Sequence, residues 1–199
     1  MTFNRELPLT WIIIAIVLLA AFGPVLWLMP SPRDRRLSAV RLAGRQEGLS
    51  VDIRHIPKTN PTAQERVSSG GVIRDPVVEC AAYGHTFARR LNRLPPWRLL
   101  KSEGASDGPR PDWVFDPVPD TSNPYWRRLW PSVEPLFERL PADVIGLELE
   151  PRLATVFWLE RAGSGPDQVR EIAGQLRDLE GRLTALEEDI EAEIADEDS

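Results

Sequence analysis

With 199 residues, a formal charge of −6 and a single cysteine, the sequence excludes an intramolecular disulfide framework and argues against a generally basic, nucleic-acid-binding protein. The charge is polarised along the chain. From Pro166 to Ser199 twelve acids meet three arginines, whereas Arg33, Arg35, Arg36, Arg41 and Arg45 meet Asp34 alone.

The first element is the uncharged run Thr10 to Met29. As a helix rising about 1.5 Å per residue it would cover roughly the 30 Å hydrocarbon core of a bilayer, so a transmembrane helix is expected over 10–29, after a short tail at 1–9. Trp11 and Trp27 fall near its two ends, where indole rings prefer the headgroup zone. The five arginines just behind it then place the C-terminal side in the cytoplasm by the positive-inside rule, with the N-terminus outside a bacterial inner membrane. A cleaved signal peptide is the rival reading. Its apolar region would span only about 7–15 residues, and an arginine cluster directly after it resists export.

Ser31 as N-cap, Pro32 at the first helical position and Asp34 in the first turn open a second helix, and Gly48 marks its end, giving a basic juxtamembrane helix over 31–48. Its arginines suit anionic lipid; its stripe of Leu37, Val40, Ala43 and Gly44 suits packing on a folded domain.

An α+β domain with an antiparallel sheet is expected over 49–161. Leu49 to Ile56 alternates with the period of a half-buried strand, and 57–76, punctuated by prolines and glycines, reads as a loop. Val77 to Phe87, Trp97 to Lys101 and Asp112 to Phe115 are further strand candidates. Tyr125 to Leu140 reads as a helix broken by Pro131 and Pro135. Val144 to Glu150 and Leu153 to Leu159 flank Pro151-Arg152 as a hairpin, its second strand apolar on both faces and therefore central, with helices covering it.

After Gly165, Val169, Ile172, Leu176, Leu179, Leu183, Leu186 and Ile190 recur at alternating spacings of three and four, the pattern of a coiled-coil seam, so 166–199 is expected to be an acidic coiled-coil helix. Arg182 at g could meet Glu187 at e of a parallel partner. The same stripe would serve a helix folded back on the domain or bound to another protein. The eight carboxylates from Glu187 to Asp198 suit either a docking tail for a basic partner or a solvated helix end.

His55, His85 and Cys80 match no zinc spacing, and neither a Gly-rich phosphate loop nor a GxSxG elbow occurs, so no cofactor and no catalytic group are expected. A Cys80 and His85 nucleophile and base pair is the one arrangement worth testing. The apolar run followed by Leu28-Met-Pro-Ser-Pro-Arg-Asp-Arg-Arg36 resembles inner-membrane proteins of Pseudomonas-type gammaproteobacteria that are grouped with YajC, the small accessory subunit of the Sec translocase. The likeness covers residues 10–50. Ser69-Gly70-Gly71-Val72-Ile73 echoes that family's Gly-Gly pair without its acidic turn. It implies a single-pass accessory subunit at the protein translocase. The residues by themselves suggest a non-enzymatic scaffold contacting the bilayer and either itself or a protein partner through the C-terminal helix; a membrane-tethered enzyme or ligand sensor using the Trp-rich domain is the alternative.

Overall fold

A computed structural model describes residues 9–27, 31–67, 70–120 and 122–197, with the side chains of 9, 10 and 21–27 left aside. Six strands form one antiparallel sheet: β1 (Ser50–Pro57), β2 (Val77–Thr86), β3 (Trp97–Lys101), β4 (Trp113–Phe115), β5 (Val144–Glu150) and β6 (Leu153–Trp158). Their spatial order is β1-β2-β6-β5-β3-β4, which puts β6 inside the sheet, as its two-sided apolar pattern requires. The helices are α1 (Leu9–Trp27), α2 (Pro32–Gln46), α3 (Trp126–Val133) and α4 (Pro166–Glu197). A 3-10 turn, Glu134–Glu138, continues α3 where the prolines interrupt it.

The chain divides after Ser38, and the second compact unit, Ala39–Ser199, holds the sheet, α3, α4 and the second half of α2. Alternation assigns the two faces of this sheet. Ala81, Tyr83, Ala154, Val156 and Trp158 join residues of α2, α3 and α4 in the main core, whereas Cys80, Ala82 and Phe157 point the other way into a small cluster that contains no helix residue. Among the described residues the domain therefore has two layers, α+β, with its helices on one face of the sheet. The expectation that helices cover β6 holds for that face.

Alternation also explains how α2 docks. Val40, Ala43 and Gly44 are buried, and a Cβ on Gly44 would stand 2.7 Å from Cε1 of Tyr83 and 3.1 Å from Cγ2 of Val51. Gly48, at φ +82, ends the helix in the left-handed conformation expected of a C-terminal glycine. In an open helix, glycine to alanine gains about 1 kcal/mol; here overpacking outweighs that. Gly44→Ala is expected to cost about 1–3 kcal/mol in thermal or urea denaturation, with Leu42→Ala on the exposed side as a near-neutral control.

Two expectations are corrected. The run 10–29 was expected to cross a membrane, yet among the described residues no helix is long and apolar enough to do so. Helix α1 ends at Trp27, with 19 residues or about 28 Å of rise, and residues 28–30 lie outside the described part. The transmembrane reading is withdrawn.

The C-terminal helix is not a separate coiled coil. Val169, Ile172, Leu176, Leu179, Leu183 and Ile190 are at most 1% exposed within this chain, and Leu186 packs half-buried beside them. A seam and a core-facing stripe share the same three-four spacing; what decides is whether an apolar bed exists, and the sheet and α3 supply one. The polar residues agree. Arg182 donates through Nε to the Ser132 carbonyl at 2.8 Å, and Glu187 accepts the backbone N–H groups of Asn92 and Arg93 at 2.5 and 2.9 Å, so both side chains of the expected g to e pair are engaged within the chain. Gly174 and Gly181 face open space, as their distance from the stripe requires.

Candidate functional site

The residues singled out by sequence do not converge. Trp11 is 64% exposed, and the side chain of Trp27 lies outside the described part. Arg33, Arg35 and Arg45 are exposed, and Arg36 is half-buried. Arg41 instead binds the buried Glu160 through Nε at 3.0 and 3.2 Å and Nη2 at 2.5 Å. Glu160 also accepts the Tyr83 hydroxyl at 2.6 Å. Burial first, and the neighbouring carboxylate second, hold that phenol well above its ordinary range. Glu160 sits at φ +50, a conformation that non-glycine residues adopt at a cost. The network ties α2 to the end of β6, a structural task.

Cys80 and His85 lie on opposite faces of β2. The thiol is buried, contacts the Arg54 carbonyl at 3.6 Å and is pushed up to about 11 by burial, the reverse of an activated nucleophile. His85 turns to the helical side, where Nε2 lies 2.7 Å from Glu180, whose other oxygen accepts the Ala88 N–H at 2.6 Å. Burial alone would raise the Glu180 carboxyl; those two hydrogen bonds outweigh it and hold it below its usual value. Among the described residues no three His, Cys, Asp or Glu side chains gather as a metal-ligand set.

The tryptophans of the domain are spent on packing. Trp113 meets Phe137 edge-on at 5.0 Å, Trp126 meets Phe115 at 5.3 Å, and Tyr83 leans on Trp158 at 5.7 Å. Much of the acidic end is matched within the domain as well, with Arg89 bridging Glu188 and Glu191 and Arg128 meeting Glu193. Such exposed pairs orient more than they stabilise.

What the fold does build is a cleft of about 520 Å³ on the side of the sheet away from the helices. Ile56, Val78, Leu100, Ile145 and Leu159 give it an aliphatic floor, and residues 57–60 form a wall. This strap leads from the end of β1, where Pro57 still pairs with Val77 and the Lys58 N–H meets the Pro76 carbonyl at 2.9 Å, to the end of β3. There Thr59 Oγ1 donates to the Lys101 carbonyl at 2.6 Å, Asn60 Nδ2 to that of Glu103 at 3.0 Å, and Ser102 Oγ to Asn60 Oδ1 at 3.2 Å.

Behind the strap, Thr62 and Glu65 form a reciprocal capping box, and Lys58 Nζ reaches Glu65 Oε1 at 2.5 Å. The lysine first, then the Thr62 donors, hold the Glu65 carboxyl down to about 2, so this latch stays charged across ordinary pH. The sequence signal was there to find: Thr-x-x-Glu inside a stretch otherwise read as loop.

Two carboxylates lie along the cleft. That of Asp143 is occupied by Trp158 Nε1 at 2.6 Å, the Arg161 N–H at 2.9 Å and Ser164 Oγ at 3.5 Å, while Glu103 stands at the solvent edge. Lys101 is the contrast. Its ammonium donates to the Ala142 carbonyl at 2.9 Å and meets no carboxylate among the described residues. Set against known proteins, the chain matches no family model, no curated protein and no solved structure.

Proposed function

We propose that the protein is a non-enzymatic accessory or scaffold protein of a bacterial inner-membrane complex, associated with lipid through α1 and presenting its α+β domain at the cytoplasmic surface. One observation carries this reading. The large apolar side chains from Trp11 to Leu19 are each 41–74% exposed and point to all sides of the helix, so α1 has no polar face to turn to water. Burying such a side chain is worth about 1.5–3 kcal/mol, and a helix apolar all round needs an apolar surrounding. The surface of a membrane complex, lipid and apolar protein together, supplies it. The exposed Arg33, Arg35 and Arg45 favour the anionic cytoplasmic leaflet by about 1 kcal/mol for each side chain near the surface.

The likeness of residues 10–50 to YajC-type proteins makes the protein translocase the complex to test first. A protein partner that engages α4 meets its outer side, where Glu171, Asp178, Asp189 and Asp196 are exposed, and such a partner is basic. The test is vesicle flotation followed by crosslinking in native membranes. The full chain is expected to float with vesicles and a chain lacking 9–27 to remain in the dense fraction; flotation of the deleted chain would overturn the proposal. The cleft favours a second reading, ligand sensing, whose chemistry is developed next.

A further inference from the structure

The cleft differs from an ordinary surface hollow in how its polar groups are used. The strap's own hydrogen-bonding groups, Thr59 Oγ1 and the Asn60 amide, are already engaged by Lys101 of β3 and by Ser102 and Glu103 just after it. Asp143 is taken by three donors. The lining residues that remain are an aliphatic floor of five side chains, of which Ile56 and Leu100 are almost wholly buried, the Lys101 ammonium, and the exposed Arg161 and Glu103. That ammonium is placed rather than adrift. Lys101 and the carbonyl it binds, Ala142, both line the cleft, and one hydrogen bond to Ala142 leaves two of the lysine's three donors for a ligand. The cavity volume lies inside the range of about 300–1,000 Å³ that small-molecule sites occupy, and an apolar wall with one convergent polar group is their usual composition.

We infer that this cleft binds an aliphatic carboxylate, the hydrocarbon chain lying on Ile56, Val78, Leu100, Ile145 and Leu159 and the carboxylate meeting the Lys101 ammonium. Charge complementarity selects the acid over the matching alcohol. Among the described residues Lys101 meets no carboxylate, and a hydrogen bond between charged groups is worth more than one between neutral groups. The latch from Lys58 to Glu65 holds the strap down, so the site exists before the ligand arrives. Residues 57–60 form one wall of the site, and Arg161 and Glu103 also line it.

The test uses the full chain in phosphatidylcholine nanodiscs and a decanoic acid carrying a photoreactive diazirine on its chain, with labelled peptides mapped by mass spectrometry. Label is expected on peptides containing 56–60 and Ile145, in addition to α1, which reports dissolution of the probe in lipid. Lys101→Gln is expected to lower the cleft labelling roughly tenfold, as loss of one charge-assisted hydrogen bond implies, and to leave α1 labelling unchanged. The diazirine-bearing decanol is expected to label α1 and to spare the cleft. Ile145→Trp, which fills the floor, is expected to abolish cleft labelling; where that variant does not fold, Lys101→Gln, altered at a half-buried surface position, still decides. Absence of label in the cleft overturns the inference, and so does equal cleft labelling in Lys101→Gln or by the alcohol. Since α1 labelling is read separately, failure here leaves the lipid association standing.

Discussion

Replacing Leu179 by alanine is expected to lower the stability of the domain by about 2–5 kcal/mol, or roughly 4–20 °C in Tm, without changing its oligomeric mass. Leu179 is 1% exposed, in the middle of the face that α4 lays on the sheet and α3. Truncating it removes the transfer energy of three buried carbons and leaves a cavity that the surrounding core closes only in part. Asp178→Ala, one position round the same helix and exposed, is expected to stay within about 0.5 kcal/mol. A seam between two chains would give a different result: Leu179→Ala would dissociate an oligomer and make stability depend on protein concentration. Thermal denaturation and sedimentation at two concentrations separate the two outcomes.

Glu160→Ala is expected to cost about 2–4 kcal/mol in urea denaturation. It strands the Tyr83 hydroxyl, which is fully buried, and the Arg41 guanidinium, which is partly so. Breaking a fully buried ion pair costs about 3–5 kcal/mol; the figure is lower here because Arg41 keeps 31% of its side chain in water. The variant also moves a residue off φ +50 only in chemistry, not in backbone, so it gains nothing from relieved strain. Glu160→Gln, which still accepts from Tyr83, is expected to lose less than half as much. The phenol supplies a pH signature. Because its folded value lies above the unfolded one, its contribution is complete below about pH 10 and is lost as pH rises beyond that, and Tyr83→Phe should remove this alkaline loss.

Periodicity made most of the sheet legible. The limits of β3 at Trp97 and Lys101 and the hairpin around Pro151-Arg152 could be read directly, because short apolar runs there are bounded by prolines and polar turn residues. The prolines at 131 and 135 likewise announced the break between α3 and the 3-10 turn. What spacing cannot encode is the identity of the surface opposite a stripe. Val169 to Ile190 reads alike for a second helix and for a sheet, so the partner emerged only from the fold.

The cleft was illegible for a related reason. Ile56, Val78, Leu100, Ile145 and Leu159 come from five strands or strand ends, and their meeting depends on the sheet order β1-β2-β6-β5-β3, which no local pattern dictates. Lys101 stood out in composition alone, as one of two lysines among 24 basic residues. Cys80 and His85, five residues apart, looked like a possible pair until alternation along β2 placed an odd separation on opposite faces.

The claim on which the rest depends is that α4 packs on the sheet of its own domain, which leaves the outer side of α4 and the open face of the sheet for recognition. Amide hydrogen exchange on the full chain tests it directly. The backbone N–H groups of 169–190 are expected to exchange as slowly as those of β6, at every protein concentration. Rapid exchange of α4 while β6 stays protected, or protection that grows with concentration, would contradict it.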